Sequence, residues 1–540
     1  MSTFLKNLFE NEKPIVFHKI ALSLLGIILL RSFLENFSSP LNSGYFFPPK
    51  EIYIFFPIYY ISVFLSFALL LYFFTKRSLT RILNFEIKIF LFVLIPPILD
   101  LLITSGKGDH MNFIMATPNN FIYIFLKLLN PLGFGGITTG IHAAAYLIIT
   151  GLFLFIYRST KKITQSIIGS IIAYIILFIY AISPSFLAIS QLLKTGQTSA
   201  ANAYQQTIEN SWLWMQQATI TPISISENIN ALEYFSDIPM AQLFFLTMSF
   251  QLFLLFIIYY PKLWLSMKTN LRPLRVIFWF FISGTGIFIA KNIYADLSFS
   301  NSINLLSMIV FMFLIALNIW LAVCINDAED TEIDLLSNFN RPLIKNEFTI
   351  SQWNKLTLFL LFLVIIGVST MNTNVSFLFI VAQLSYYMYS SFPLRLKSNF
   401  VSSSLLIGIA AATISMAGFF LVSPDQHTLA FPASAILLIG LVVALISNFK
   451  DIKDFTGDSS AKIQTMPVFF GLEKSKKIIA TFFTFIIIFL PYILKIKNML
   501  FLSIILSVFI LYLFTKKNYQ EKYIFLLMFI YFFSLFIFYK

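Results

Sequence analysis

The chain lacks most of the side chains on which soluble enzymes rely. It has one cysteine, Cys324, and four histidines among 540 residues. An intrachain disulfide is therefore excluded, and no Cys/His spacing suits a zinc site. Only 11% of the residues are charged, against about 25% in soluble domains. This scarcity of charge excludes an ordinary soluble globular protein.

Apolar residues are abundant instead. They make up 58% of the chain, and phenylalanine alone occurs 65 times. Because backbone groups inside a bilayer must be satisfied within the chain, this composition predicts an all-α polytopic membrane protein. The net charge of +13 does not indicate a nucleic-acid partner. Its lysines and arginines lie mostly in short segments between apolar runs, where they set the orientation of the spans.

Apolar runs long enough to cross a bilayer divide into two groups. About six lie within residues 1–262 and about nine within 263–540. We therefore expect an N-terminal membrane domain, 1–262, followed by a second helical bundle, 263–540. Residues 191–238 are the longest polar stretch, and by the count of spans they form an external polar loop.

The basic residues predict the orientation of these spans. Segments after alternate spans are rich in lysine and arginine, which favours the cytoplasmic side for them. The N-terminus is then cytoplasmic, and so are two acidic clusters in the second half of the chain.

The two acidic clusters share one spacing. Aspartates fall at i, i+3 and i+7 in each, which on a helix places three carboxylates on one face. The first set is Asp327, Asp330 and Asp334; the second is Asp451, Asp454 and Asp458. Like charges so close repel unless a cation lies between them. Oxygen-only ligands favour Mg²⁺, which usually binds carboxylates together with substrate phosphates.

A solvated cytoplasmic loop is the plainer interpretation of these acids, but it does not account for one spacing occurring twice. Basic and hydroxyl side chains also accompany the clusters: Arg341, the segment from Tyr389 to Lys397, and Lys462. Cations and metal ions of this kind stabilise the charge that develops on a diphosphate leaving group. An aromatic membrane cavity would shelter the allylic cation left behind.

These motifs resemble the UbiA superfamily of intramembrane prenyltransferases. Asn326-Asp327-x-x-Asp330-x-x-x-Asp334 is similar to its first signature, and Asp451-x-x-Asp454-x-x-x-Asp458 to its second. The Arg341-Pro342 step, the Tyr389–Lys397 segment and residues 271–275 also match. The resemblance covers about 263–540 and implies a bundle of about nine helices.

The resemblance implies a role for each matching residue. Mg²⁺ ions bridging a prenyl diphosphate would be held by six carboxylates: Asp327, Asp330, Asp334, Asp451, Asp454 and Asp458. Asn326 would support the first site, Arg341, Lys397 and Lys462 would contact the diphosphate, and Tyr389 would be a hydroxyl donor. The catalytic set is then Asp327, Asp330, Asp451, Asp454 and Lys397. A prenyl group would pass to an acceptor, with release of diphosphate.

The acceptor stays open at this point. Lys462 stands where many members have arginine, and Ile344-Lys345-Asn346 replaces a segment in which glycine is frequent. The second motif resembles that of members which prenylate phosphoglycerol lipids or chlorophyll and tocopherol precursors. An aromatic ring, a sugar phosphate or a porphyrin also remains open. The motifs predict neither prenyl chain length nor oligomeric state.

We recognise no family resemblance in residues 1–262. Asp100, Asp109, His110 and His142 are candidates for an external site, although polar residues that satisfy helix ends are the simpler interpretation. The alternative function is a lipid or isoprenoid transporter or flippase whose prenyltransferase half is degenerate.

Overall fold

The computed structural model describes most of the chain. The described residues are 8–14, 17–38, 51–107, 113–130, 137–195, 199–220, 229–268, 270–516 and 519–538. They fold into helices joined by short turns, and their β-type pairing is one isolated bridge between Asn399 and Gln464. The prediction of an all-α polytopic membrane protein is confirmed. The chain forms two compact units, each described by itself below.

The first unit comprises Met1–Trp214, Ile223–Tyr260 and Ser298–Ser307. Its helices are α1 Phe17–Ser38, α2 Phe56–Thr75, α3 Leu79–Phe90, α4 Ile95–Ile103, α5 Phe121–Lys127, α6 Thr139–Thr160, α7 Ile163–Ala181, α8 Ser183–Thr195, α9 Ala200–Glu209, α10 Trp212–Ile220 and α11 Ile229–Tyr259. The last residues of α10 belong to the second unit.

Buried polar side chains in the first unit bond to one another. The Ser62 hydroxyl on α2 lies 2.5 Å from the Tyr180 hydroxyl on α7 and 3.3 Å from Gln251 Oε1 on α11. On α1, Arg31 Nη2 donates to Glu35 Oε2 at 2.7 Å, and both residues are buried. Lipid cannot solvate such groups, so pairing between helices, or within one helix for Arg31 and Glu35, satisfies them.

The second unit comprises Met215–Pro222, Pro261–Leu297 and Met308–Lys540. Its helices are α12 Pro261–Lys268, α13 Pro273–Ile293, α14 Ser302–Glu329, α15 Thr331–Ser337, α16 Ile350–Ser369, α17 Thr373–Ser390, α18 Phe400–Val422, α19 Ala433–Ile446, α20 Phe455–Ser460, α21 Met466–Phe470, α22 Leu472–Ile493, α23 Leu500–Thr515 and α24 Glu521–Phe538. The first turns of α14 belong to the first unit.

Eleven helices among the described residues are long and apolar enough to cross a membrane. Seven of them begin at or after Pro273. The sequence predicts about fifteen spans because it counts any apolar run. The helix α23 has 16 residues, which is too short to be counted. Two longer helices are also not among the eleven: α1, which contains the buried Arg31–Glu35 pair, and the 18-residue α17.

The polar stretch 191–238 is largely helical in its described parts, whereas we expected a loop. It contains α9 and α10, and its two ends belong to α8 and α11. Ala203, Tyr204 and Ile208 on α9 are buried. Polar residues on one face and apolar residues on the other therefore produce a packed helix rather than irregular chain.

Two glycines allow α13 and α18 to approach closely. A Cβ atom on Gly286 would overlap the carbonyl oxygen of Ser415, and one on Gly418 would overlap the carbonyl oxygen of Ser283. Small residues permit such contact between membrane helices, where dispersion replaces the hydrophobic effect. By contrast, a Cβ on Gly284 would meet only the Phe536 ring, at 3.8 Å.

Candidate active site

Both acidic motifs lie across a break between two helices rather than on one continuous helix. Asp327 is in the last turn of α14, Asp330 is the N-cap residue of α15, and Asp334 lies within α15. Backbone hydrogen bonds continue across the break, from Asp330 N to the Asn326 oxygen at 3.0 Å and from Asp334 N to the Asp330 oxygen at 2.9 Å. The three carboxylates thus stay near one another although the helix is interrupted.

The second motif repeats this arrangement. Asp451 lies in the 3₁₀ turn Ser447–Ile452, which extends α19; Asp454 is the N-cap residue of α20, and Asp458 lies within α20. Asp458 N donates to the Asp454 oxygen at 2.9 Å, as in the first motif. In both motifs the middle aspartate makes no capping bond with its side chain. Its carboxylate is therefore directed to other partners.

Cationic side chains surround the first motif. Asp327 accepts hydrogen bonds from Asn270 Nδ2 at 2.6 Å, Arg272 Nη2 at 2.7 Å and Arg341 Nη1 at 2.8 Å. Arg341 also pairs with Asp334. Every partner sits in a turn next to a helix end, so short segments bring these charges together.

The middle aspartate of the first motif has two cationic partners of its own. Arg395 Nη2 lies 3.1 Å from Asp330 Oδ1, and Lys397 Nζ pairs with the same oxygen. Lys397 is also 3.4 Å from Asn326 Oδ1, which accepts a further bond from Ser390 Oγ at 3.0 Å. The predicted residues Asn326, Asp330 and Lys397 therefore lie together.

The second motif has few such partners. Among the described residues, no lysine or arginine forms an ion pair with Asp451, Asp454 or Asp458. Asp451 and Asp458 are nevertheless buried. Lys450 and Arg275 act on Asp451, and Lys397 acts on Asp458, only from beyond ion-pair distance. A carboxylate removed from water without a close cation is costly, so negative charge in this motif is less compensated than in the first.

Two side chains join the motifs. Asn338 Nδ2, four residues after Asp334, lies 3.1 Å from Asp334 Oδ1 and 3.1 Å from Asp454 Oδ1. The positive charge of Lys397 acts on both Asp330 and Asp458. The helices α15 and α20 also touch, because Gly457 packs against Ser337 and Ile333 so closely that a Cβ would overlap the Ser337 hydroxyl.

Burial and mutual repulsion raise two carboxyl pKa values outside the membrane spans. Desolvation, followed by the charges of Asp451 and Asp454, raises the pKa of Asp458 to about 8. Desolvation raises the pKa of Asp334 to about 7, although Arg341 opposes the shift. Burial lowers the pKa of the Lys397 ammonium despite the neighbouring Asp330. These groups lie where negative charge is crowded.

An aromatic cavity of about 130 Å³ opens beside Asn326 and Tyr389. Apolar side chains, mostly from α13, α14, α19 and α24, line much of it: Phe278, Trp279, Ile319, Val323, Val443, Ile446, Phe449 and Phe525. Its polar wall includes Ser390 and Lys450, and Lys450 Nζ donates to the Tyr389 hydroxyl at 3.1 Å. The cavity therefore has an apolar body and a polar side that includes one motif residue.

The remaining candidates lie elsewhere. Lys462 is exposed, in the turn after α20, with a backbone φ of 56°. In the first unit, Asp100 accepts bonds from the Thr138 hydroxyl and from Gly140 N, and the ring nitrogens of His142 lie 3.0 and 3.1 Å from the carbonyl oxygens of Thr138 and Leu128. These partners favour the helix-end interpretation. Asp109 and His110 lie outside the described residues.

Several site residues were not singled out from the sequence. Four of them contact the motif aspartates directly: Asn270, Arg272, Asn338 and Arg395. Asn338 carries a signal, because it follows Asp334 by one helical turn. Arg272 and Arg395 lie inside segments already matched to family landmarks. Nothing in the sequence near Asn270 marks it.

The carboxylate oxygens of the site are ligands that Mg²⁺ prefers. Within the part of the chain that the structure describes, no three Asp, Glu, His or Cys side chains are already gathered at metal-binding distances. In the first motif the carboxylates pair with Arg341, Arg395 and Lys397 instead of converging on one point. The second motif offers buried carboxylates with no lysine or arginine at ion-pair distance among the described residues. Their oxygen atoms are ligands of the type that Mg²⁺ prefers.

Comparison with known proteins shows the family of the C-terminal half. Residues 277–533 match the model of the UbiA prenyltransferase family. A digeranylgeranylglyceryl phosphate synthase from Sulfurisphaera tokodaii is 30% identical over 197 residues, which cover 35% of this chain and 68% of that protein. The chain therefore belongs to the UbiA prenyltransferase family through its C-terminal half, and it is a membrane prenyltransferase.

Solved structures of low identity also match. A UbiA homolog from Archaeoglobus fulgidus bound to DMAPP and Mg²⁺ is 18% identical, with a TM-score of 0.40 over 50% of this chain and 96% of that one. The same homolog bound to GPP and Mg²⁺ gives 18% identity and a TM-score of 0.39, again over 50% and 96%.

Proposed function

We propose that this chain transfers a prenyl group from a prenyl diphosphate to an acceptor within the membrane, releases diphosphate and requires Mg²⁺. One observation carries the proposal: two aspartate motifs with the same spacing meet through Asn338 and Lys397 beside an aromatic cavity. Family membership supplies the reaction class.

The cationic side chains bind and neutralise the diphosphate in this proposal. Arg341 and Lys397 bind the diphosphate leaving group, and the Tyr389 hydroxyl donates a hydrogen bond to it. Lys462 is proposed as an outer contact because it is exposed. As the carbon–oxygen bond breaks, its electron pair goes to the diphosphate. Positive side chains that are already in place stabilise the negative charge that develops on the diphosphate oxygens.

The six motif carboxylates would hold Mg²⁺, with Asn326 supporting the first group. When bound, Mg²⁺ supplies Lewis-acid stabilisation of the diphosphate oxygens. Arg341 and Lys397 would then exchange their aspartate partners for the substrate's phosphates. The second motif, which lacks ion-pair partners, needs no such exchange.

The aromatic cavity receives the reactive carbon and its chain. Rings such as Phe278, Trp279 and Phe525 present π faces that stabilise a passing allylic cation. The same rings exclude water, which would otherwise capture the cation. The acceptor nucleophile forms the new bond to the allylic carbon and loses its proton.

The two halves have different proposed roles. We assign catalysis to 263–540 and an accessory membrane role to 1–262, with the motifs and the N-terminus facing the cytoplasm. Transport of a lipid by 1–262 stays a hypothesis, and movement of substrate across sealed vesicles without diphosphate release would support it. Because Cys324 is buried and no other cysteine exists, labelling of introduced cysteines tests the orientation.

A transfer assay tests the proposal. The purified full chain in lipid nanodiscs receives geranylgeranyl diphosphate, Mg²⁺ and a geranylgeranylglyceryl phosphate acceptor, a choice suggested by the name of the Sulfurisphaera relative. Mass spectrometry should find the acceptor heavier by one prenyl group, with an equal amount of diphosphate. Chelation of Mg²⁺ should stop both. Transfer at an unchanged rate in excess chelator contradicts the metal role.

A further inference from the structure

A second cavity in the C-terminal unit is larger and basic. Its volume is about 540 Å³, within the usual size of ligand pockets. Five cationic side chains line it, and one carboxylate, that of Glu521, is among its lining residues. The cations are Arg272, Arg275, Arg341, Lys453 and Lys522.

The basic cavity adjoins the aromatic one. Arg272, Arg275, Glu521 and Phe525 line both. Tyr389 is among the residues that line the aromatic cavity alone. The four residues common to both therefore form a shared wall between the two cavities.

The charges of the basic cavity do not balance within it. Arg272 and Arg341 are matched by Asp327 and Asp334. Glu521 alone faces both Arg275, at 3.6 Å, and Lys453, at 2.5 Å.

A third cation adds to this excess. Lys522 Nζ lies 5.0 Å from the centre of the Tyr523 ring, and no carboxylate pairs with it in the described part of the chain. Arg275 and Lys453 thus share one carboxylate and Lys522 pairs with none in that part of the chain, which leaves two positive charges over. A phosphate monoester carries about −1.5 to −2 at pH 7.

We propose that this cavity binds the phosphate of the acceptor, and that the acceptor is therefore an anionic phosphomonoester lipid. The inference rests on the proposed function. Its headgroup contacts are Arg275, Lys453 and Lys522, and its nucleophilic hydroxyl lies towards the shared wall, where Arg272 meets the first motif. The diphosphate of the donor is the other phosphate that this chemistry fits.

Steady-state kinetics separates the two phosphates. The variants are Lys522→Gln and the double variant Lys453→Gln/Lys522→Gln, in the full chain in nanodiscs. Lys355→Gln is the matched control, because Lys355 is an exposed lysine at the start of α16. Acceptors are geranylgeranylglyceryl phosphate and the same ether lipid without phosphate.

The double variant should raise KM for the phosphorylated acceptor about tenfold, the size of a lost charged hydrogen bond. KM for geranylgeranyl diphosphate and the folding of the protein should not change, and the control should match the wild type. The phosphate-free acceptor should be poorer for the wild type and insensitive to the substitutions. An increase confined to the donor KM, or equal use of both acceptors by the wild type, overturns the inference.

Failure of the proposed function looks different. If no acceptor is prenylated, direct binding of geranylgeranylglyceryl phosphate to the wild type and the double variant still decides the inference. Weaker binding by the double variant upholds it, and equal binding overturns it.

Discussion

The two acidic motifs have the same spacing and the same break between helices, but different neighbours. Each aspartate of the first motif has at least one arginine or lysine within ion-pair distance. No such pair is found for the second motif among the described residues, and its Asp458 has a pKa raised to about 8. The difference teaches that equal spacing does not mean equal charge balance. The carboxylates of the first motif are already paired with cations before substrate arrives, whereas cations act on the second motif only from a greater distance.

Replacing one aspartate in each motif should produce the largest effects. Asp327→Asn and Asp451→Asn should each lower kcat about a thousandfold, since each removes a ligand that stabilises the leaving group. Their stabilities should diverge. Asp327→Asn leaves the partly buried Arg272 and Arg341 with less compensation, so its thermal midpoint should fall.

Asp451→Asn should lower the thermal midpoint less, because among the described residues no arginine or lysine lies within ion-pair distance of Asp451 and the charges of Lys450 and Arg275 act on it only from farther away. Kinetics and thermal unfolding of metal-free protein check both variants. A fall of equal size in the two midpoints would show that the motifs do not differ in charge balance.

Separating the motifs should have the next largest effect. Gly457→Ala places a methyl group against Ser337 and Ile333, which pushes α20 from α15 and stretches the Asn338 bridge. We expect activity to fall about thirtyfold and the Mg²⁺ concentration for half activity to rise about tenfold, as when support around a metal site is lost.

The matched control for this substitution is Gly284→Ala, where the new methyl group meets only the Phe536 ring at 3.8 Å. Wild-type metal dependence in Gly457→Ala would mean that the contact does not hold the motifs together.

The stability of the metal-free protein should depend on pH most strongly through Asp458 of the second motif and less through Asp334 of the first, whose pKa is raised to about 7. A native pKa of about 8 for Asp458, against about 3.9 when unfolded, means that the native state holds the extra proton between these values. Its contribution to stability is therefore lost as pH rises, by up to about 1.4 kcal/mol per pH unit. Thermal midpoints from pH 5 to 8 should fall, and Asp458→Asn should flatten the slope. A midpoint that rises with pH in both proteins would contradict this assignment.

Lys462→Gln should have the smallest effect. Exposed charge contacts contribute about 0–1 kcal/mol, so KM for the donor should rise no more than about threefold. Lys397→Gln, in which a buried ammonium next to Asp330 is lost, should affect kcat far more. Equal effects of the two substitutions would place Lys462 inside the site.

The sequence predicted the fold class and the family, because repeated spacing and hydropathy are local properties that survive folding. The sequence did not predict the break between helices inside each motif. Backbone hydrogen bonds from residue i to i−4 or i−3 still cross the break, so the aspartate spacing is much the same as on a continuous helix. Nor did it identify Asn270, whose contact with Asp327 spans 57 positions of the chain. Contacts between distant turns depend on packing, which spacing does not encode.

The most direct test is equilibrium binding of Mg²⁺ with a non-cleavable thiol analogue of geranylgeranyl diphosphate to four proteins: the wild type, Asp327→Asn, Asp451→Asn and the double variant. If the two motifs form one shared site, only the wild type should bind tightly. The double variant should then bind no more weakly than either single variant. Wild-type affinity in either single variant, or losses that simply add in the double variant, would show that the two motifs do not form one site.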